Sequence, residues 1–158
     1  MESATQSFHS ADILSRLGAH RTEAFDALDF AALLAPDKSG EAGFDFTFRD
    51  IPFQGLVRRD DGGGRLTLTA RIGHIPFSAQ APLERRQVLQ IIASANNATP
   101  LSWKTTPQQE LVLTGECPLE TPLTPAEIVA GITFLILQSK DYIDLILEVL
   151  GNCNAPRG

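Results

Sequence analysis

The chain has 158 residues, 43% hydrophobic and 20% charged, which is typical of a globular protein and excludes a disordered one. Its formal net charge is −6. Because no basic run supplies the positive surface that phosphate contacts require, we predict no nucleic-acid partner. The length favours a single domain over 1–158, with 1–6 and 152–158 disordered.

Cysteine usage and the absence of targeting patterns indicate the compartment. Cys117 and Cys153 are too few for a disulfide framework, which favours a reducing environment. The first twenty residues do not show a basic start followed by an apolar run, and no apolar stretch reaches the ~18–20 residues of a membrane span. We therefore expect a cytoplasmic protein that does not insert into membranes.

The N-terminal region is predicted to be helical. Ser10 can cap a short helix, and the apolar spacing resumes from Thr22 to Ala32, so 10–34 is either one broken helix or two. The apolar residues of its first part are Ile13, Leu14 and Leu17. Residues 36–43, PDKSGEAG, are predicted to form an exposed loop.

Three strands are predicted next, because apolar and polar residues alternate along 44–49, 51–57 and 65–72. The glycine-rich stretch 60–64, DDGGG, is typical of a hairpin turn between the second and third strands. The third strand is the clearest, with Leu66, Leu68, Ala70 and Ile72 on one face. An antiparallel meander is the simplest arrangement of these three strands.

The second half adds a helix, two strands and a long helix. The helix over 82–97 has an apolar stripe, and strands are predicted at 101–105 and 111–117. Thr124 can cap the last helix, which we expect to end near Leu150. The fold class is therefore α+β, with a five-stranded, mainly antiparallel sheet and the element order α-βββ-α-ββ-α.

The chemistry of the sequence does not suggest an enzyme. His9, His20 and His74 have no metal-ligand spacing with one another or with a cysteine. Neither a nucleophile motif nor a phosphate-binding loop is present, and Cys117 lies in a predicted strand. We predict no catalytic residue, no metal site and no cofactor.

A cluster of phenylalanines has two interpretations. The residues concerned are Phe44, Phe46, Phe48, Phe53 and Phe77. Either all of them pack beneath the helices, or some line a groove for an apolar peptide, because large exposed apolar patches mark partner sites.

The order of elements and several short motifs resemble the class I chaperones of type III secretion, the Tir-chaperone (CesT-like) group, whose fold is shared by the YbjN-like proteins. The third strand ends in a Gly-x-hydrophobic-Pro turn at 73–76, and the next helix ends in a small residue followed by asparagine at 95–96. The last helix begins with Leu-Thr-Pro at 123–125. The resemblance covers about 44–150, whereas 19–43 is longer than the family's corresponding segment.

This resemblance implies a non-catalytic homodimeric chaperone that binds the N-terminal segment of a secreted effector and keeps it soluble and export-competent. It implies that the partner contacts Ile13, Leu14, Leu17, Phe44, Phe46, Phe48 and Phe53. It places the dimer interface at Val88, Ile91, Ile92 and Ala95. The alternatives are a YbjN-like protein-binding or regulatory module without a secretion client, and an enzyme whose site is unrecognised.

Overall fold

The computed structural model describes residues 40–154, with side chains up to residue 151. The elements are β1 (Glu41–Phe48), β2 (Ile51–Asp60), β3 (Gly63–His74), α1 (Pro82–Ala98), β4 (Ser102–Thr105), β5 (Glu110–Leu119) and α2 (Pro125–Asn154). The helix predicted within 10–34 lies outside the described residues.

The five strands form one sheet in the order β1-β2-β3-β5-β4, and every neighbouring pair is antiparallel. The α+β class and the five-stranded antiparallel sheet are therefore confirmed. The first three strands form the predicted meander, whereas β5 inserts between β3 and β4. This order leaves β1 and β4 as the two edge strands of the sheet.

The hairpin of β1 and β2 has a tight and regular geometry. Arg49 and Asp50 form its two-residue turn with φ angles of 53° and 60°, which matches the twist of the strands it joins. The pairing then runs without a bulge from Phe48 opposite Ile51 to Glu41 opposite Arg58. Because the pairing extends to Glu41, β1 begins there, three residues earlier than predicted. The predicted boundary of the loop at residue 43 is therefore wrong.

Alternation divides the sheet into a buried face and a solvated face. On β3, Leu66, Leu68, Ala70 and Ile72 are buried as predicted. The helices cover this face, since α2 packs across β3 and β5 while α1 contacts α2 and β4. The other face carries charged pairs such as Arg65 and Glu116, whose side chains lie 3.2 Å apart.

Gly131 lets α2 approach the sheet closely. A Cβ atom there would lie 2.9 Å from Leu119 Cδ2, closer than real Cβ atoms come, and 3.1 Å from Cys117 Sγ, which is tighter than most real contacts. The helix begins as predicted, since Thr124 Oγ1 accepts a hydrogen bond from the Glu127 amide at 3.2 Å. The Glu127 carboxylate accepts a further bond from the Glu120 amide at 2.9 Å.

The end of α2 differs from the prediction. The helix continues to Asn154, at about 1.5 Å per residue a rod roughly 45 Å long. Gly151 does not end it, because this glycine does not take the positive φ of a helix-terminating residue. Part of the segment 152–158, predicted to be disordered, is therefore helical. Across the described range, no helix combines the length and apolar character that crossing a membrane demands.

Candidate functional site

The edge at β4 is covered by a side chain. Trp103 directs its backbone N–H and C=O away from β5, where the side chain of Asn96 on α1 meets both groups. Asn96 Oδ1 accepts the Trp103 amide at 2.9 Å, and Asn96 Nδ2 donates to the Trp103 carbonyl oxygen at 3.1 Å. The asparagine side chain thus occupies the position of a neighbouring strand. Because β4 has only four residues, this one side chain covers much of the edge that another strand could pair with.

The edge at β1 has a different character. The Arg59 amide donates to the Gly40 carbonyl at 2.8 Å, which identifies the bonded pairs of the hairpin because these alternate along an antiparallel ladder. It follows that Gly43, Asp45 and Thr47 direct their backbone groups away from β2. Within residues 40–154, no strand pairs with them. β1 also contains neither a proline nor a bulge.

Aromatic side chains hold β1 in place from its buried face. The Phe44 ring lies over Gly55 on β2, where there is no room for a Cβ atom. Ring centroids are 6.1 Å apart for Phe44 and Phe46, and 5.1 Å apart for Phe46 and Phe53, both in stacked orientation. Phe48 meets Phe53 edge-on at 6.5 Å. Because these contacts join the two strands of the hairpin, they give the edge a fixed shape.

The predicted partner-binding residues fall into three groups. Phe46, Phe48 and Phe53 are 5%, 8% and 1% exposed, so their side chains do not form an open surface. Phe44 is half-buried at the margin of the same cluster. The remaining three, Ile13, Leu14 and Leu17, lie outside the described residues. Partner binding by these residues stays a prediction. Gly43, Asp45 and Thr47, which alternate with the phenylalanines along β1, are exposed.

The predicted dimer residues on α1 lie mostly inside the chain's own core. Val88 and Ala95 are fully buried, Ile92 is 8% exposed and Ile91 is half-buried. The opposite face of α1 carries Leu83 and Leu89, which are 70% and 42% exposed. The dimer interface stays a prediction, and the most exposed apolar side chains of α1 lie off the predicted stripe.

The candidate metal ligands among the described residues are the acidic, histidine and cysteine side chains. Over the range 40–154, no cluster of three or more His, Cys, Asp or Glu residues could hold a metal ion. Burial raises the pKa of the Cys117 thiol, and the nearby Glu127 carboxylate raises it further. Since the thiolate is the reactive form, this environment makes Cys117 a poor nucleophile.

A cavity of about 640 Å³ lies where the end of β3 meets the end of α2. Its lining is largely apolar, and His74 is the one ionisable residue among the residues that line it. The full lining consists of Ile72, Gly73, His74, Ile75, Pro76, Phe77, Gln80, Gln108, Gln109, Leu147, Leu150 and Gly151.

Sequence reasoning did not find the role of Asn96. In the sequence, Asn96 is recognisable only as the asparagine that follows a small residue near the end of the helix. The available signal was its place directly after the buried Ala95 and one turn after the buried Ile92, at the border between the covered and the exposed sides of the helix. An amide there, followed by a short strand, is suited to covering an edge.

Comparison with known proteins gives a distant structural similarity. No protein-family model matches the chain, and no curated protein matches it. Among solved structures, a chain of the heterodimeric complex ExoU–SpcU from the type III secretion system of Pseudomonas aeruginosa is similar, with 16% sequence identity and a TM-score of 0.44. The match covers 77% of this chain and 97% of that chain.

Proposed function

We propose that the protein is a non-catalytic chaperone that binds an extended segment of another polypeptide along the outer edge of β1. One observation supports this proposal: within residues 40–154, the Asn96 side chain covers the β4 edge, whereas the regular, eight-residue strand β1 at the other edge has no strand partner on its outer side. Unprotected edge strands pair readily with other chains, and proteins normally block them unless they are used.

Strand addition would supply both affinity and selectivity. Gly43, Asp45 and Thr47 each offer one N–H and one C=O to a neighbouring strand, and these main-chain bonds do not depend on the client's sequence. Selectivity would come from side chains that alternate between the two faces of the client strand. We expect a lysine or arginine beside Asp45, and apolar residues on the face next to Phe44.

The finer proposal follows from the family resemblance in the sequence. The client would be the N-terminal segment of a secreted effector, held soluble and export-competent in the cytoplasm without nucleotide. The alternative is a YbjN-like binding module of the same architecture without a secretion client. Co-purification from the native host followed by mass spectrometry distinguishes the two, because only the first predicts a secreted protein bound through its N-terminal segment.

The edge is tested with Asp45→Pro and its matched control Asp45→Ala. Proline removes the outward N–H and places its ring where a client strand would lie, while the bonds to β2 remain. Binding of the co-purified partner, measured by isothermal titration calorimetry, should be lost with proline and mostly retained with alanine. Equal affinities for the two variants, with both folded by circular dichroism, would refute the edge as the site.

The proposed homodimer has its own test. Light scattering at micromolar concentration should give about twice the 17.1 kDa of one chain. Because Ile92 is buried, a charge there would unfold the chain and say nothing about the dimer. Leu89→Asp on the exposed face is the informative variant, with Gln87→Asp as the control on an exposed polar position. A monomeric mass for the unmodified chain would exclude the dimer.

A further inference from the structure

We infer that the cavity between the end of β3 and the end of α2 is a second polypeptide subsite, which binds one uncharged apolar side chain together with its flanking peptide amides. The inference rests on the proposed function only for the source of that side chain, a bound polypeptide. The edge of β1 and this cavity use different residues, so each can fail without the other.

The walls of the cavity are fixed by hydrogen bonds. The Ile75 amide donates to the Gln109 carbonyl at 2.8 Å, which joins the loop after β3 to the turn before β5. The Arg85 guanidinium donates to the Pro76 carbonyl at 3.0 Å and to Gln109 Oε1 at 2.7 Å. These hydrogen bonds therefore tie three elements together around the cavity.

The floor and wall of the cavity suit a hydrocarbon group. Ile72 and Ile75 are buried, and Leu147 and Leu150 from α2 are half-buried beside them. Gly73 allows α2 to come close, since an added Cβ would lie 3.1 Å from Leu150 Cδ1. A volume of about 640 Å³ falls within the ~300–1,000 Å³ range of ligand pockets, enough for a large side chain and neighbouring backbone.

The rim of the cavity suits a peptide. Gln80 and Gln108 are exposed at the rim; Gln108 offers a donor and an acceptor, whereas Gln80 offers its N–H donors while its Oε1 accepts the Phe77 amide at 3.4 Å. Peptide groups present the same pair of functions. Glu110 lies 3.7 Å from His74 Nε2 but is not part of the lining, so a cationic side chain would find no carboxylate inside the cavity, and burying an unpaired charge is unfavourable. These features select a neutral side chain such as leucine or phenylalanine.

Gly151 offers a way to fill the cavity without disturbing the fold. It lies in the lining, and an added Cβ would meet no atom within 4 Å. Gly151→Phe should therefore occupy the space that the ligand needs, whereas Gly151→Ala adds one methyl group and serves as the matched control. Phe77→Ala provides a second variant, because that ring lines the cavity and is 56% exposed.

The experiment titrates the full ¹⁵N-labelled chain with N-acetyl-leucinamide and N-acetyl-phenylalaninamide, with N-acetyl-lysinamide as the charged comparison. Saturable NMR shifts are expected at the Gln80 and Gln108 side-chain amides and at the Ile75 amide. The lysine compound should bind about tenfold more weakly or worse. Gly151→Phe should abolish the shifts, Phe77→Ala should weaken them, and Gly151→Ala should preserve them.

Several outcomes would overturn the inference: equal binding of the lysine compound, shifts spread over the surface, or unchanged binding by Gly151→Phe. Isobutanol that binds as tightly as the leucine compound would assign the cavity to free small molecules instead of a polypeptide. Asp45→Pro should leave the titration unchanged. If that variant loses its client but still binds the leucine compound, the edge and the cavity are separate sites.

Discussion

The two edge strands of the sheet differ in how the backbone groups on their outer sides are hydrogen-bonded. β4 is short, and a side-chain amide from α1 satisfies the outward backbone groups of Trp103. β1 is twice as long, and among residues 40–154 its outward groups at Gly43, Asp45 and Thr47 have no strand partner. The contrast shows that edge protection is a local property, set by whichever element passes beside the strand.

The two edges also differ in what holds them to the rest of the sheet. β4 is attached through α1 and through its pairing with β5. β1 is attached through its hairpin with β2 and through the phenylalanines on the buried face. Loss of an aromatic ring should therefore affect the β1 edge most, whereas loss of Asn96 should affect the β4 edge.

The largest effect is expected from Phe53→Ala. Phe53 is 1% exposed and contacts both Phe46 and Phe48, so its removal leaves a cavity beneath the β1 hairpin. The free energy of unfolding should fall by about 3–5 kcal/mol, as for other buried phenylalanines. Urea denaturation followed by circular dichroism measures it, with the exposed Phe77→Ala as the control, for which a change within about 0.5 kcal/mol is expected.

The same variant tests whether the rings give the β1 edge its shape. Amide hydrogen exchange should show lower protection in β1 and β2 than in β4 and β5. Uniform loss of protection across all five strands would contradict the separate attachment of the two edges.

A smaller effect is expected from Asn96→Ala, which removes the cover from β4. The variant leaves the Trp103 N–H and C=O without their partner, and an unsatisfied backbone group costs about 1–3 kcal/mol. Asn97→Ala is the matched control, since Asn97 is exposed on the next position of the helix and should change stability by less than about 0.5 kcal/mol.

Asn96→Ala should also make the two edges more alike. With β4 uncovered, size-exclusion chromatography should show concentration-dependent self-association that Asn97→Ala does not show. If Asn96→Ala stays as stable and as monodisperse as the control, then α1 itself, and not the Asn96 amide, protects the edge.

Local pattern predicted most of the fold between residues 44 and 150. The alternation in β3, the stripe on α1 and the cap at Thr124 each depend on residues close together in the sequence, so they could be recognised there. The start of β1 at Glu41 could not be, because it depends on pairing with Arg58 across the hairpin. The end of α2 was missed because glycine is allowed both inside a helix and at its end.

The candidate site was less predictable for a physical reason. The phenylalanine alternation showed that one face of β1 is apolar, but not that Phe46, Phe48 and Phe53 are buried while, among residues 40–154, no strand pairs with the outer side of β1. Which strand lies at an edge depends on long-range pairing, here the insertion of β5 between β3 and β4. The cavity brings together residues from 72–80, 108–109 and 147–151, a combination that no local pattern contains.

The smallest predicted effect concerns Cys117 on β5. It tests whether the face of the sheet that the helices cover keeps water away from this thiol. The pKa of Cys117 is raised, first by burial and then by Glu127. As the pH rises through the ordinary pKa of cysteine, the unfolded chain releases the thiol proton before the folded chain does. The contribution of Cys117 to the free energy of unfolding is therefore fully present below that pH and is lost above it. The free energy of unfolding of the unmodified chain should therefore decline more steeply between about pH 8 and pH 10 than that of Cys117→Ala. Glu127→Gln keeps an acceptor for the Glu120 amide but removes the charge, so the free energy of unfolding should decline less steeply with pH in this variant. If the free energy of unfolding depends on pH in the same way in all three proteins, water reaches Cys117.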